Sequence, residues 1–243
     1  RYHSLFAKGD GRYEQTFMLE LYGTETGGTP TYKYFDYYYP NNGSKVLYYY
    51  APWWAADEDI AAWKADDPNG VKANVVVGKI ALTAEDGGLD PNSGKPADWA
   101  TRRHSDCGVP CMRKFDDYTE TSIANRNSTC SMHDVSCARL GEAYLIAAEA
   151  YLMQNDKTNA AKMIKTLRSR PGTIKPGFEA DMAVSENDMT IDFILDERAR
   201  ELAGEYVRWT DLKRTHKLIE YVKAYQEDPV QASNLQGPDG KYK

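Results

Sequence analysis

Eleven aromatic residues fall between Tyr32 and Trp54, the densest run of potential ligand-contacting side chains in the chain. They include Tyr37-Tyr38-Tyr39, Tyr48-Tyr49-Tyr50 and Trp53-Trp54. Sugars present flat faces of C–H bonds. Rigid rings offer them contact area at little entropic cost, while tyrosine hydroxyls reach outward to hydrogen-bond. In a strand alternate residues face opposite ways, so each tyrosine triplet sets at most two rings on one side. The same rings also suit a sheet, because tyrosine favours strands and packs well against cross-strand neighbours. Trp53 and Trp54 follow Pro52 in a turn-like context and form the expected stacking platform, with Tyr48 or Tyr50 adding a hydroxyl.

Four cysteines, Cys107, Cys111, Cys130 and Cys137, leave three readings open. Outside the cytosol an even number favours disulfides, and four cysteines can pair in three ways. Cys130–Cys137 is the favoured pair, because its spacing allows a relaxed loop, whereas Cys107–Cys111 is tighter and interrupted by Pro110. A metal site would add His104 and His133, but their spacing fits no familiar zinc template. Buried thiols are the third reading. Asp86, Asp90, Asn92 and Asp98 form an oxygen-rich loop without the glycine and glutamate placement of an EF-hand, which reads better as a solvated turn than as a calcium site.

Catalysis finds little support. Asp196 and Glu197 are neighbours on a helix and point about 100° apart, so they cannot flank one glycosidic bond. The chain has no G-x-S-x-G elbow, no H-E-x-x-H and no phosphate loop. The four histidines, His3, His104, His133 and His216, lie in unrelated settings. The residues point to a binding protein without a cofactor. A hydrolase that uses distant carboxylates among the 36 acidic residues is the alternative.

The elements that must position these residues change character near residue 136. Before it turn signals dominate: Gly27-Gly28, Pro40 to Gly43, Pro68-Asn69-Gly70 and Gly87 to Pro96. Short strand candidates lie between them at Gln15 to Leu21, Val46 to Tyr50 and Val75 to Leu82. After it the pattern is helical to about Tyr225. We therefore expect a mainly α protein: residues 1–136 as a loop-rich, ligand-facing region with short strands, and residues 137–243 as a helical region. Loops laid over a rigid scaffold are where binding residues concentrate. A net charge of −6 over 243 residues argues against a nucleic-acid partner, which would call for a basic face. No apolar run approaches the roughly 20 residues needed to span a bilayer.

Two helical hairpins stand out. Arg139 to Leu152 reads RLGEAYLIAAEAYL, apolar almost all round, so burial on several sides is expected. The following helix takes Thr158 as its expected N-cap, shows Ala160, Ile164 and Leu167 on one face, and stops at Pro171-Gly172. Ile194 to Arg214 reads ILDERARELAGEYVRWTDLKR. Ile191, Ile194, Leu195, Ala199 and Leu202 form one buried stripe by their spacing. Asp196–Arg200 and Arg198–Glu201 are spaced to pair on the helix surface, and Gly204 sits where a left-handed cap belongs. Glu197, Arg198, Glu201, Glu205 and Arg208 are expected to be partly buried and paired rather than ligand contacts.

The Ile194–Arg214 string, with Trp209 and Asp211 opening its second helix, resembles the C-terminal signature of the SusD/RagB family of outer-membrane nutrient-binding lipoproteins. RLGEAYLIAAEAYL and TNAAKMIKTLRSRPG are similar to that family's tetratricopeptide-like hairpin. Asp57 to Ala65 followed by Asp67-Pro68 resembles its short helix and "DPR" turn, with Asn69 in place of the arginine. Arg113-Lys114-Phe115 resembles its "RKY" strand. The resemblance is dense from about Ala138 onward and patchy before it. It implies an alpha-alpha superhelix with TPR-like hairpins, in the C-terminal part of a longer protein.

It also implies a function: non-catalytic capture of an oligosaccharide, or of a peptide as RagB-like members would, and delivery to a SusC-type TonB-dependent transporter. The implied place is the outer-membrane surface, held by an N-terminal lipid anchor outside this sequence. A secreted glycan-degrading hydrolase that uses the helical half as scaffold is the competing reading.

Overall fold

A computed structural model describes residues 2–26, 29–32, 45–73, 75–79, 110, 112–114 and 137–225. The fold is mainly α with loop-rich parts and a small sheet. The chain divides into two compact units: Asp10–Ile80 with Leu89–Ala138, and Arg1–Gly9 with Ala81–Gly88 and Arg139–Lys243.

The first unit carries the sheet. It opens with α1 (Arg12–Thr16), where a strand from Gln15 to Leu21 was expected. The reason lies just upstream. Asp10 and Arg12 are both buried, and the Asp10 carboxylate accepts from Arg12 N, Nε and Nη2 at 3.1, 2.9 and 2.7 Å, which folds the backbone into a turn. After an isolated antiparallel bridge between Phe17 and Met112, the sheet proper begins at β1 (Glu20–Thr26), followed by β2 (Thr29–Tyr32), β3 (Lys45–Ala51), the helix α2 (Asp57–Ala65) and β4 (Val76–Lys79). The sheet order is β2-β1-β3-β4. β1 is antiparallel to both neighbours, whereas β3 and β4 run parallel with α2 in the crossover between them. Tyr48 pairs with Leu21 on one side and Val76 on the other.

Helix α2 begins with Asp57, Glu58 and Asp59 at its positive end and has Lys64 in its last turn. Asp67 closes the turn that follows. Its two carboxylate oxygens accept from the N–H of Val71 and of Lys72 at 2.8 Å each, and Gly70 supplies the left-handed φ of +64°. These bonds hold the Asp67 carboxyl below its ordinary value, the Lys72 amide first among the causes. The turn delivers the chain to β4.

The second unit is helical: α3 (Leu140–Met153), α4 (Lys157–Arg168), α5 (Ile191–Glu201), α6 (Arg208–Arg214) and α7 (Leu218–Tyr225), with a 3-10 turn at Tyr2–Leu5. Leu145 and Ala148 of α3, Ala160, Ile164 and Leu167 of α4, Ile194 of α5 and Leu202 at its C-terminal end share one core with Met189 and Val184. Leu195, Leu212 and Tyr221 form a second cluster under α6 and α7. Gly204 adopts a φ of +74° just beyond the end of α5. The N-cap of α4 is Asp156, whose carboxylate accepts from Asn159 N at 3.0 Å; the expected Thr158 lies inside the helix and donates its hydroxyl to Glu186 instead. Asn155 at φ +60° ends α3 and brings Asp156, rather than Thr158, into the capping position.

One expectation for α3 needs correction. Its face toward the core is buried, but Leu140, Ile146 and Met153 on other sides are 69, 55 and 66% exposed. A helix apolar all round is thus covered along one side only within this unit.

Candidate functional site

In the sheet unit, Trp53 and Trp54 occupy the turn after Pro52, which is closed by Ala55 N donating to Pro52 O at 2.9 Å. The two indoles meet edge to face at 5.6 Å and 79°. Trp54 also meets Tyr13 edge-on at 4.7 Å, and Tyr13, fully buried, packs on Phe17 at 5.2 Å. Both tryptophans are half-buried. Trp54 is therefore anchored to the core through Tyr13, and Trp53 leans on Trp54. Such edge-to-face contacts are the preferred geometry of aromatic pairs and fix ring orientation.

Tyr48 and Tyr50 point to the same side of β3, with ring centroids 4.6 Å apart. Tyr50 is 3% exposed and belongs to the core, so of the two expected hydroxyls that of Tyr48 is the better placed to reach outward. Tyr48 is half-buried, and its hydroxyl lies against Gly78 of β4, where a Cβ would collide with it. On the other side of β3, Tyr49 stacks on Trp63 of α2 at 3.8 Å and 7°. Glu20 accepts from Trp63 Nε1 at 2.8 Å and from the Tyr22 hydroxyl at 2.5 Å. Lys72 Nζ lies 4.2 Å from the Trp63 ring centre and donates to Trp63 O and Asp66 O. Burial, helped by the charges of Glu20, Glu14 and Asp59, pushes Tyr49 up to about 12. Burial and then the bond to Glu20 raise Tyr22 as well.

This Tyr49–Trp63–Lys72 stack was not anticipated. Its one sequence signal is Trp63, a lone indole in a short helix otherwise made of aspartate, glutamate, alanine, isoleucine and lysine.

In the helical unit the acids and bases of the α5–α6 segment form a lattice. Glu197, with no exposed surface, accepts from Arg168 at 3.1 and 2.6 Å and from Arg200 at 3.1 and 2.7 Å. Glu201 takes Arg139 Nη1 at 2.5 Å and both amino groups of Arg170 at 2.8 and 3.0 Å. Glu205 holds Arg139 Nε at 2.9 Å. Burial alone would lower Arg139, but its bonds to Glu205 and Glu201 outweigh that and lift it above its ordinary value. Arg198 donates Nε to Asp211 at 2.7 Å and approaches Glu142 at 3.5 Å. Arg208 donates to Leu195 O at 2.6 Å and lies 4.9 Å from the Tyr221 ring centre. Asp211 also takes Arg214, which continues to Glu149. Trp209 is 64% exposed.

The surface pairs Asp196–Arg200 and Arg198–Glu201 give way to these partners. Arg200 turns to Glu197 and to Leu5 O, and Arg198 turns inward to Asp211. A buried guanidinium needs fixed acceptors; Arg198 finds its own on α6, and Arg200 finds them at Glu197 of its own helix and at Leu5 O. The lattice thereby ties the residue before α3 and the end of α4 to α5, and α5 to α6. Arg198 Nη1 remains without an acceptor among the described residues.

The aromatics from Tyr34 to Tyr39, the Asp86–Asp98 loop and Cys107, Cys111 and Cys130 lie outside the described residues, while Cys137 is exposed. No group of His, Cys, Asp and Glu placed to hold a metal occurs among the described residues. No helix among them is long and apolar enough to cross a membrane.

No curated protein and no solved structure matches the chain. A family model described as the SusD family matches residues 2–242. That span takes in the α5–α6 lattice and the aromatic turn alike, and the chain belongs to the SusD family, whose members are in general outer-membrane-associated nutrient-binding proteins.

Proposed function

We propose that this protein captures oligosaccharide at the bacterial cell surface without altering it and passes it to a SusC-type TonB-dependent transporter. Family membership supports nutrient binding. The observation that carries the glycan reading is the Trp53–Trp54 pair: two half-buried indoles at right angles in one turn, Trp54 braced on the buried Tyr13. A rigid, half-buried ring presents a flat apolar face to a sugar at low entropic cost. In this reading Trp53 stacks on a sugar ring, Trp54 holds it in place, and Tyr48 contributes a hydroxyl. Residues 1–136 are the ligand-facing region and residues 137–243 the helical support, built on TPR-like hairpins. The lattice around Glu197, Arg198, Glu201, Glu205, Arg208, Trp209 and Asp211 touches no ligand. The protein is held at the outer membrane by a lipid anchor.

A glycan-array screen of the natural full-length protein tests the proposal, with Trp53→Ala and Trp54→Ala beside it. Each variant should lose the ~1–2 kcal/mol of a removed contact, about five- to thirtyfold in affinity. Trp53→Ala should lower the melting temperature less than Trp54→Ala, whose ring braces the buried Tyr13. Normal glycan binding by both variants would remove the platform from this turn.

A further inference from the structure

Helix α7 is attached to the helical unit by a small apolar contact. Among its described side chains, Tyr221 belongs to the cluster with Leu195 and Leu212, and Leu218 packs against it, while Ile219, Glu220 and Val222 are exposed. The polar contacts to α5 converge on one atom. The Tyr221 hydroxyl lies 3.3 Å from Asp192 Oδ1, 3.3 Å from Asp196 Oδ1 and 3.5 Å from Asp192 O. One hydroxyl carries one proton, so it donates to a single one of these oxygens at a time. All three contacts exceed the ~2.7–2.8 Å usual for an O–H···O bond, as expected when one donor is shared among several acceptors. The second carboxylate then faces the lone pairs of the hydroxyl, unless that carboxyl brings a proton of its own.

The two aspartates stand one turn apart on α5 and differ in their other partners. Asp192 Oδ2 accepts from Lys217 Nζ at 3.0 Å, and Lys217 also donates to Glu220 of α7 at 2.9 Å. Asp196 faces Arg208 of α6 at 3.6 Å, while Arg200 of its own helix is committed to Glu197 and Leu5 O. We propose that Asp196 and Tyr221 form a proton-operated latch: a protonated Asp196 donates to the Tyr221 oxygen, the Tyr221 hydroxyl donates to Asp192, and this relay fastens α7 to α5 as pH falls. Burial first, and then the charge of Asp192, raises the Asp196 carboxyl above its ordinary value of 3.8, against the pull of Arg200, Arg208 and Tyr221. The docked state therefore takes up this proton more readily than an undocked one. The added docking strength is complete at the ordinary value and is lost as pH rises through the docked value. Protonation gives up the Arg208 pair, but its two side chains are 30 and 28% exposed, and pairs so exposed contribute little.

Hydrogen exchange of the whole chain tests the latch, read on the amides of α7 against those of α3 and corrected for the intrinsic rate at each pH. Protection of α7 in the wild type should rise as pH is lowered from about 7 toward about 4, by up to about tenfold for each unit that separates the docked and undocked carboxyl. Asp196→Asn supplies a fixed N–H in place of the proton. It should give the high protection already at neutral pH and abolish the pH dependence. In a Tyr221→Phe background the same substitution should add less protection, because the hydroxyl it would meet is gone. His216→Asn, at an exposed left-handed position between α6 and α7, removes the nearby imidazole and should leave the wild-type profile unchanged. Wild-type protection that does not vary with pH overturns the proposal, as does a pH dependence that survives in Asp196→Asn. An equal gain with and without the Tyr221 hydroxyl would also overturn it, by removing the relay.

Discussion

Glu197→Ala probes the lattice where it is most deeply buried. Glu197 has no exposed surface and accepts four hydrogen bonds from two arginines, whose side chains are only 9 and 12% exposed. Truncation leaves both guanidinium groups buried without their carboxylate and opens a void beneath α4. Breaking one partner out of a buried pair commonly costs ~3–5 kcal/mol. At about 4 °C per kcal/mol for a cooperative unit of this size, the melting temperature should fall by roughly 12–20 °C. Glu201→Ala should cost less, because Arg170, 45% exposed, can turn to water. Glu197→Gln should fall between Glu197→Ala and wild type, since it keeps the shape and one acceptor. The assay is thermal unfolding by circular dichroism, with glycan affinity measured on whatever remains folded at 25 °C. The expected result is lost stability with unchanged affinity. A variant that melts within a few degrees of wild type, or one that loses affinity at full stability, would refute the structural role assigned to Glu197.

Gly78→Ala should destabilise the sheet unit by ~1–3 kcal/mol, the range for an overpacked site, because its methyl would meet the Tyr48 hydroxyl; denaturant melts measure this, and a neutral result would mean Tyr48 moves aside freely. Tyr49 is pushed up to about 12 in the folded protein, above the model-peptide value near 10. The unfolded chain therefore releases its proton first, so stability is intact below about pH 10 and falls as pH rises toward 12, which a urea-midpoint series in alkaline buffers would detect as a steady decline. At least one disulfide is expected, with Cys130–Cys137 favoured; mass spectrometry after alkylation of the unreduced protein checks it, and four labelled thiols would end the idea.

What the sequence revealed follows from how local each interaction is. The inward faces of α4 and α5 were legible because Ala160, Ile164, Leu167, Ile194, Leu195 and Leu202 repeat at helical spacing, and all are buried. The cap of α4 was misplaced by two residues because Asp156 and Thr158 are both good caps, and the backbone of Asn155 chooses between them. The Gln15–Leu21 strand was placed too early, since Gln15 and Thr16 belong to α1 and only Glu20 and Leu21 enter β1; the buried Asp10–Arg12 clip bends the chain there, a contact that carries no periodic signal. Arg198 was read as a surface partner of Glu201. Its true acceptors, Asp211 and Glu142, come from other helices, and only packing brings them within reach. The aromatic run could be flagged but not sorted. Whether Tyr48 or Tyr50 is accessible depends on what covers each end of β3, and Tyr50 is the covered one. The Tyr49–Trp63 stack joins residues fourteen apart across the β3–α2 connection, beyond the reach of alternation.

The central claim is capture without chemistry. The most direct measurement is a time course of defined oligosaccharides incubated with the purified full-length protein, following retained glycan and new reducing ends in the same samples. The account predicts saturable retention of at least one oligosaccharide, weakened in Trp53→Ala, with the glycan recovered intact at every time point. New reducing ends that accumulate with time and scale with protein concentration would contradict it and identify a hydrolase.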